Sequence, residues 1–250
     1  METEPLLKVS QLYKNFGGVQ AINNLNFELA AGELMGLIGP NGSGKTTAVN
    51  LITGFVKPTE GEISYRGKNI TGRAPYKIVR MGIARTFQMV KPFYQLPAYK
   101  NMIIPLYSSR VKQRVGGKFG DRDAVALDLL EEVGFERDSF VAYKPASVLP
   151  QGYLKRLELA KAIALDPDLI ILDELFSGLS LAEVASIVPI IEKLRQEGKT
   201  IIMIEHRLKE LFRIADRIIV LNFGEKIADG KASEVMESDA VKKAYLGAEA

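Results

Sequence analysis

The chain has 250 residues, 47% of them apolar, enough to bury a sizeable core as one α/β domain or as a domain carrying a smaller lobe. Its 33 basic and 30 acidic residues leave a net charge of +3, scattered without a long single-sign block, so nucleic acid is not the expected partner. The absence of cysteine excludes a disulfide framework and a thiolate metal site and suits a reducing cytosol; METEPLLKVS lacks a signal-peptide core, and no stretch approaches the roughly 18 uninterrupted apolar residues of a membrane span.

Along the chain, strand and helix signals alternate. Leu6 to Ser10 and Asn26 to Ala30 read as short strands, with Phe16-Gly17-Gly18 as turn chemistry between them. Leu34 to Ile38 reads as a buried strand, Lys45 to Thr53 as a helix stopped by Gly54, and Gly61 to Tyr65 as one arm of a hairpin turning at Arg66-Gly67. From about Met89 to Ala164 β-branched runs are few, and Asp123 to Gly134 has helical spacing with a glycine stop. The pattern predicts a helical lobe over about 89–164, inserted in an α/β core formed by 1–88 and 165–250. The runs DLIILDE (Asp168 to Glu174), KTIIMIEH (Lys199 to His206) and DRIIVLN (Asp216 to Asn222) add three apolar strands. Strands alternating with helices predict a mostly parallel sheet, accompanied by an antiparallel β part.

The chemistry concentrates at two strand ends. GPNGSGKTT follows the strand at Leu34 to Ile38 and completes G-x-x-x-x-G-K-[ST] with Gly39, Gly44, Lys45 and Thr46. Such a loop, with Pro40, Asn41, Gly42 and Ser43 inside it, lets backbone N–H groups wrap a phosphate chain while the following helix turns its positive end toward it. Lys45 would neutralise the β- and γ-phosphates, Thr46 would bring its hydroxyl to Mg²⁺, and Thr47 would donate to a neighbouring phosphate. The second end is IILDE: Asp173 is the candidate for Mg²⁺ through water, and Glu174 the group that orients or deprotonates an attacking water. His206 is the one histidine, and spacing does not decide between a structural and a catalytic role for it; Gln88 in ARTFQMV carries no meaning alone. Arg110, Lys112, Arg114 and Lys118 beside Gly116-Gly117 read as a solvated basic loop.

Taken together these segments resemble the ATP-binding subunits of ABC transporters over nearly the full length. GPNGSGKTT is similar to the Walker A loop, ARTFQ to the Q-loop, IILDE to Walker B and IEH to the switch-histidine strand. The resemblance implies a P-loop NTPase of the ABC ATPase fold, with ATP and Mg²⁺ as cofactors. By the same resemblance Gln88 contacts Mg²⁺ and senses a transmembrane partner, His206 touches the γ-phosphate, and Phe16 stacks on adenine, with Tyr13 a weaker candidate. It also implies a dimer with a second ATP-binding subunit, two ATP molecules being sandwiched between Walker A of one subunit and an LSGGQ-like segment of the other. FGGVQAINNLNF, LITGFVKPTEGEI, GIARTFQ and the tail from Val220 are similar to the LivG-type branch, the ATPases of branched-chain amino acid importers. That branch implies permease transmembrane subunits as partners, a solute-binding protein indirectly, no nucleic acid, and a peripheral place on the cytoplasmic face of the cell membrane. Lipid or lipopolysaccharide extraction and a soluble, non-transport ABC role are the alternatives.

Some positions depart from the pattern. Leu149-Pro150-Gln151-Gly152-Tyr153 stands where LSGGQ is usual, Leu175 follows Glu174 where proline is usual, and Ser177 to Ser180 lacks the common D-loop aspartate. The backbone amide around Gly152 and the helix start at Tyr153-Leu154-Lys155 can still face a phosphate, but the missing serine hydroxyl predicts two unequal ATP sites.

Overall fold

The computed structural model describes residues 4–114 and 121–246, the side chains of 112–114 and 246 excepted. In chain order the strands are β1 (Leu7–Phe16), β2 (Val19–Leu29), β3 (Leu34–Ile38), β4 (Glu60–Tyr65), β5 (Lys68–Asn69), β6 (Ile83–Arg85), β7 (Leu169–Asp173), β8 (Thr200–Ile204), β9 (Arg217–Asn222) and β10 (Glu225–Gly230). The helices are α1 (Lys45–Ile52), α2 (Pro75–Met81), α3 (Ile103–Leu106), α4 (Ser109–Arg114), α5 (Arg122–Glu132), α6 (Gln151–Ile163), α7 (Leu181–Gln196), α8 (Leu208–Ile214), α9 (Ala232–Glu237) and α10 (Asp239–Leu246). Among these, α3 to α6 lie between β6 and β7.

Two sheets form. β2, β1, β4 and β5 pair antiparallel, while the second sheet runs β10-β9-β3-β8-β7-β6, parallel throughout except for the antiparallel edge pair β9–β10. β3, β7 and β8 are buried at every position, as a parallel sheet covered on both faces requires. Successive residues divide between two cores. Leu34, Ile170, Leu172, Ile201, Met203 and Val220 pack with α5 to α8, while Met35, Leu37, Leu169, Ile171, Ile202 and Ile219 pack with α1 and the inner face of the antiparallel sheet. The period-2 alternation of a strand thus survives as a choice between two apolar environments.

β1 and β2 are longer than the segments expected from the sequence. Their register shifts between Val9 and Leu12 and again before Lys14, and Gln11 and Asn24 have φ of 46° and 49°. These bulges break the two-residue alternation that marks a strand in sequence. β6 has only three residues, and β10 has no buried position, so neither carries an apolar run.

Candidate functional site

The parallel sheet delivers the tips of β3, β7 and β8 to one edge of the molecule. The phosphate loop leaves β3 at Gly39, whose φ is 149° and where an added Cβ would meet the Leu221 carbonyl at 2.1 Å and the Ser43 hydroxyl at 2.6 Å. Only glycine fits there. α1 then starts at Lys45 with Gly44 as N-cap, in the left-handed region at φ 103° and without a side-chain cap. Its first-turn N–H groups therefore have no side-chain acceptor of their own, the condition under which a helix start takes an anion. Lys45 is buried, its Nζ donating to the carbonyls of Gly39 (2.8 Å) and Pro40 (2.9 Å), with the Ser43 hydroxyl at 3.4 Å. Burial pushes the Lys45 ammonium below its ordinary value, against the pull of Glu174 and Asp173. Asn41 to Thr47 line a pocket of about 320 Å³, and Glu174 and His206 form part of the same wall.

Glu174 sits just past β7 with φ of 50°, and its N–H donates to the Ile204 carbonyl (2.9 Å). A non-glycine residue in this region carries a cost of order 1–3 kcal/mol that the surroundings must sustain. They do so on several sides. Gln88 Nε2 donates to Glu174 Oε2 (2.6 Å), and His206 Nε2 lies 3.1 Å from Oε1. Lys155, on α6, donates to the backbone carbonyls of both Gln88 (3.0 Å) and Glu174 (2.9 Å). Glu205 accepts the Phe176 N–H (2.8 Å), and burial pushes its carboxyl up to about 7. A carboxylate oriented by two side chains and facing a phosphate loop can hold a water for attack on phosphorus.

Asp173 is also buried. Its Oδ2 forms an ion pair with Arg85 (2.6 Å), a residue that also donates to Asn50 Oδ1 (2.7 Å) and whose guanidinium lies 5.1 Å from the Phe87 ring centroid. Among the described residues no group of three or more His, Cys, Asp or Glu could hold a metal ion. Magnesium does not require one, since one or two carboxylates beside nucleotide phosphates suffice. Thr46, Gln88 and Asp173 line one pocket and supply a hydroxyl, an amide oxygen and a carboxylate, a hard oxygen set that fits Mg²⁺.

Other expected residues lie further out. Phe16 is half exposed at the turn between β1 and β2, opposite Val19, with the Lys14 ammonium 4.8 Å from its ring centroid; Val19, not Phe16, lines the phosphate pocket. Tyr13 faces a separate polar pocket with Asn23, Asn24 and Asn26. Pro150 is the N-cap of α6 and makes no side-chain cap, Leu175 is buried in the core, and Ser180 caps α7 in a capping box with Glu183. The solvated basic loop needs correction at Arg110. This side chain is mostly buried, donating to the Asp166 carbonyl (2.9 Å) and to Asp168 Oδ2 (2.7 Å), so it is a structural cation. The side chains of Lys112, Arg114 and Lys118 lie outside the described residues.

Arg85 and Glu205 carry no expectation from the sequence, and Lys155 enters it only as part of a helix start facing a phosphate; its ammonium turns instead to the Gln88 and Glu174 carbonyls. Arg85 stands three positions before Gln88 in GIARTFQ, whereas the Lys155 and Glu205 side chains carry no local signal: one is a lysine in a helix and the other precedes the histidine of IEH.

Comparison with known proteins identifies the family. The ABC transporter family model matches residues 22–177, and the model described as branched-chain amino acid ATP-binding cassette transporter matches 225–250. The high-affinity branched-chain amino acid transport ATP-binding protein BraF of Pseudomonas aeruginosa is 36% identical over 98% of this chain and 99% of its own. LivG of Escherichia coli K12 is 37% identical with the same coverage. An ATP-binding cassette of an ABC transporter solved in its ADP conformation superposes with a TM-score of 0.85, at 28% identity, over 98% of this chain and all of its own (100%). A dimeric cassette in a post-hydrolysis state bound to ADP and Pi superposes at 0.77, with 28% identity over 90% of this chain and 98% of its own. With a glycine-rich loop after β3, a carboxylate on the wall of the same pocket and relatives aligned almost end to end, the chain belongs to the ABC transporter family as an ATP-binding, ATP-hydrolysing subunit, in the branch of the branched-chain amino acid transport ATP-binding proteins.

Proposed function

We propose that this subunit drives uptake of branched-chain amino acids, or a similar small polar solute, through separate permease subunits, working with a second ATP-binding subunit at the cytoplasmic face of the membrane. Among the described residues no helix is long and apolar enough to cross a membrane. The observation that carries the reading is the near-complete alignment with branched-chain amino acid transport ATP-binding proteins, extended by the match over 225–250. It favours import over lipid extraction and over a role away from the membrane.

In this reading the N–H groups of Gly42 to Thr47 and the Lys45 ammonium hold the phosphates of ATP, Lys45 exchanging the carbonyls of Gly39 and Pro40 for phosphate oxygens. Mg²⁺ held by Thr46, Gln88 and, through water, Asp173 would offset negative charge on the β- and γ-phosphates. Glu174 orients a water and takes its proton as the oxygen attacks the γ-phosphorus and the bond to the β-phosphate oxygen breaks, releasing ADP and phosphate. His206 fixes the Glu174 carboxylate on one side and faces the γ-phosphate on the other. Phe16 and the neighbouring Val19 offer the base an apolar edge. The partner's LSGGQ-like segment completes the site.

In this reading the permease docks beside Gln88. Tyr76, Phe87, Ile104 and Tyr107 are exposed around a groove of about 500 Å³, and Met89, Phe93, Tyr94 and Leu96, on the segment that follows Gln88, are exposed as well. Such a surface suits a cytoplasmic helix of a permease. The test is reconstitution of the chain with the permeases and the second ATPase from its own genome. ATP-dependent accumulation of labelled leucine, isoleucine or valine and a cross-link from Phe93 to a permease loop are expected. Stable assembly with a lipid-handling partner and no amino acid uptake would overturn the reading.

A further inference from the structure

Lys155 is the most deeply buried charged side chain of the molecule's described part, 1% exposed, on the second turn of α6 just past Leu149 to Tyr153. Its Nζ meets two backbone carbonyls, those of Gln88 and Glu174, and among the described residues it forms no ion pair with a carboxylate. Burying an ammonium with only neutral acceptors is costly, and an apolar side chain of similar length would fill the space without that cost. The ammonium is held instead by position. Burial lowers its pKa, against the pull of Glu205, Glu174, Asp173 and Glu158.

The two carbonyls belong to residues whose side chains are themselves joined, Gln88 Nε2 to Glu174 Oε2. One cation therefore fixes the backbone beneath a side-chain pair, and it does so where Glu174 sits at φ 50° and needs outside support. Glu205 grips the same turn two residues on, through the Phe176 N–H. The clamp's root is in the helix whose first residues would be offered to the nucleotide of the facing subunit.

We propose that Lys155 is a positioning residue for hydrolysis: by tying the Gln88 and Glu174 backbones to α6, it sets the direction of the Glu174 carboxylate and transmits to it any displacement of Leu149 to Tyr153. The inference rests on Glu174 as the group that takes the proton of the attacking water. Its signature is a loss in turnover without a loss in binding, because Lys155 does not line the phosphate pocket and, among the described residues, its ammonium donates to Gln88 and Glu174.

The test is a set of variants in the full chain assembled with its partner subunits: Lys155→Met, Glu174→Gln and the two combined, with Lys155→Gln as a milder change that keeps one donor. Lys155→Met should lower kcat by roughly ten- to a hundred-fold, the cost of an ångström-scale misplacement of a reacting group. The Kd for a non-hydrolysable ATP analogue should stay within about threefold, a measurement that also reports that the variant is folded. Combined with Glu174→Gln, Lys155→Met should add little, since both act on one group. Should Lys155→Met fail to fold, Lys155→Gln carries the same comparison with a smaller loss. Losses that multiply in the double variant, or an affinity that falls as far as kcat, would overturn the clamp. Normal turnover in Lys155→Met beside an inactive Glu174→Gln would overturn it alone, whereas normal turnover in Glu174→Gln would remove the role of Glu174 and the clamp's purpose with it.

Discussion

The phosphate loop and the Glu174 cluster hold charge in contrasting ways. Lys45 finds its acceptors at Gly39, Pro40 and Ser43, no more than six positions away. Glu174 is held by partners 86, 19 and 32 positions distant, Gln88, Lys155 and His206, drawn from the β6 exit, α6 and the β8 exit. A loop closed on itself keeps its shape once β3 and α1 are docked. A cluster assembled from separate layers keeps its shape only while those layers stay in register, so under the proposed roles a displacement elsewhere would reach hydrolysis before it reaches binding.

The sharpest break between the two regions is Glu174→Gln. It should slow hydrolysis by about 10²- to 10⁴-fold while leaving ATP affinity near that of the unmodified chain, and an affinity that dropped in step would merge the regions into one. Glu205 comes next. Its carboxyl titrates at about 7 in the folded chain against an ordinary 4.5, so between those pH values the folded chain keeps a proton that the unfolded chain has released, and stability falls as pH rises. The full effect, about 3 kcal/mol, is in force above pH 7 and absent below about pH 4.5. Chemical denaturation of Glu205→Gln and the unmodified chain across this window should show the difference between them growing with pH; a constant difference would contradict it.

Lys45→Ala should act on the loop alone. Loss of charge-assisted contacts worth roughly 1.5–3 kcal/mol predicts about ten- to a hundred-fold weaker ATP binding, measured by titration, with the fold unchanged. Undiminished affinity would place the phosphates elsewhere. Pro150→Ser should have the smallest effect. It supplies both a hydroxyl for the γ-phosphate of the facing subunit and a cap that the first turn of α6 lacks. With Glu174→Gln silencing the site of this chain, it should raise residual turnover at the opposite site by up to about tenfold. No gain there would argue against unequal sites.

Much of the fold was legible because β3, β7, β8 and β9 are short apolar runs between turn signals, and doubly covered parallel strands have no other pattern to show. β1 and β2 were truncated in the reading because Gln11 and Asn24 sit in bulges where alternation lapses. The glycine-rich loop between β3 and α1 was legible as a unit since its contacts are local. Arg85 and Lys155 were not. Arg85 acquires its meaning from Asp173, 88 positions away, and Lys155 from two backbone carbonyls, which have no letter in the sequence. Arg110 misled for the same reason, since the Asp168 that buries it is 58 positions distant.

The wall between the two cores has an implication for how such a subunit diversifies. Along β7, Ile170 and Leu172 belong to the compartment of α5 to α8, and Leu169 and Ile171 to the compartment of α1. Substitutions on opposite sides of that wall share few contacts, so their effects on stability should largely add. A lineage can therefore remodel the helices that would meet a new permease, one tolerated change at a time, while the compartment beneath the phosphate loop keeps its packing. Lys155 and Arg85 are where that freedom ends, because Lys155 ties α6 to Gln88 and Glu174 and Arg85 ties β6 to Asp173, the residues proposed to act on the nucleotide.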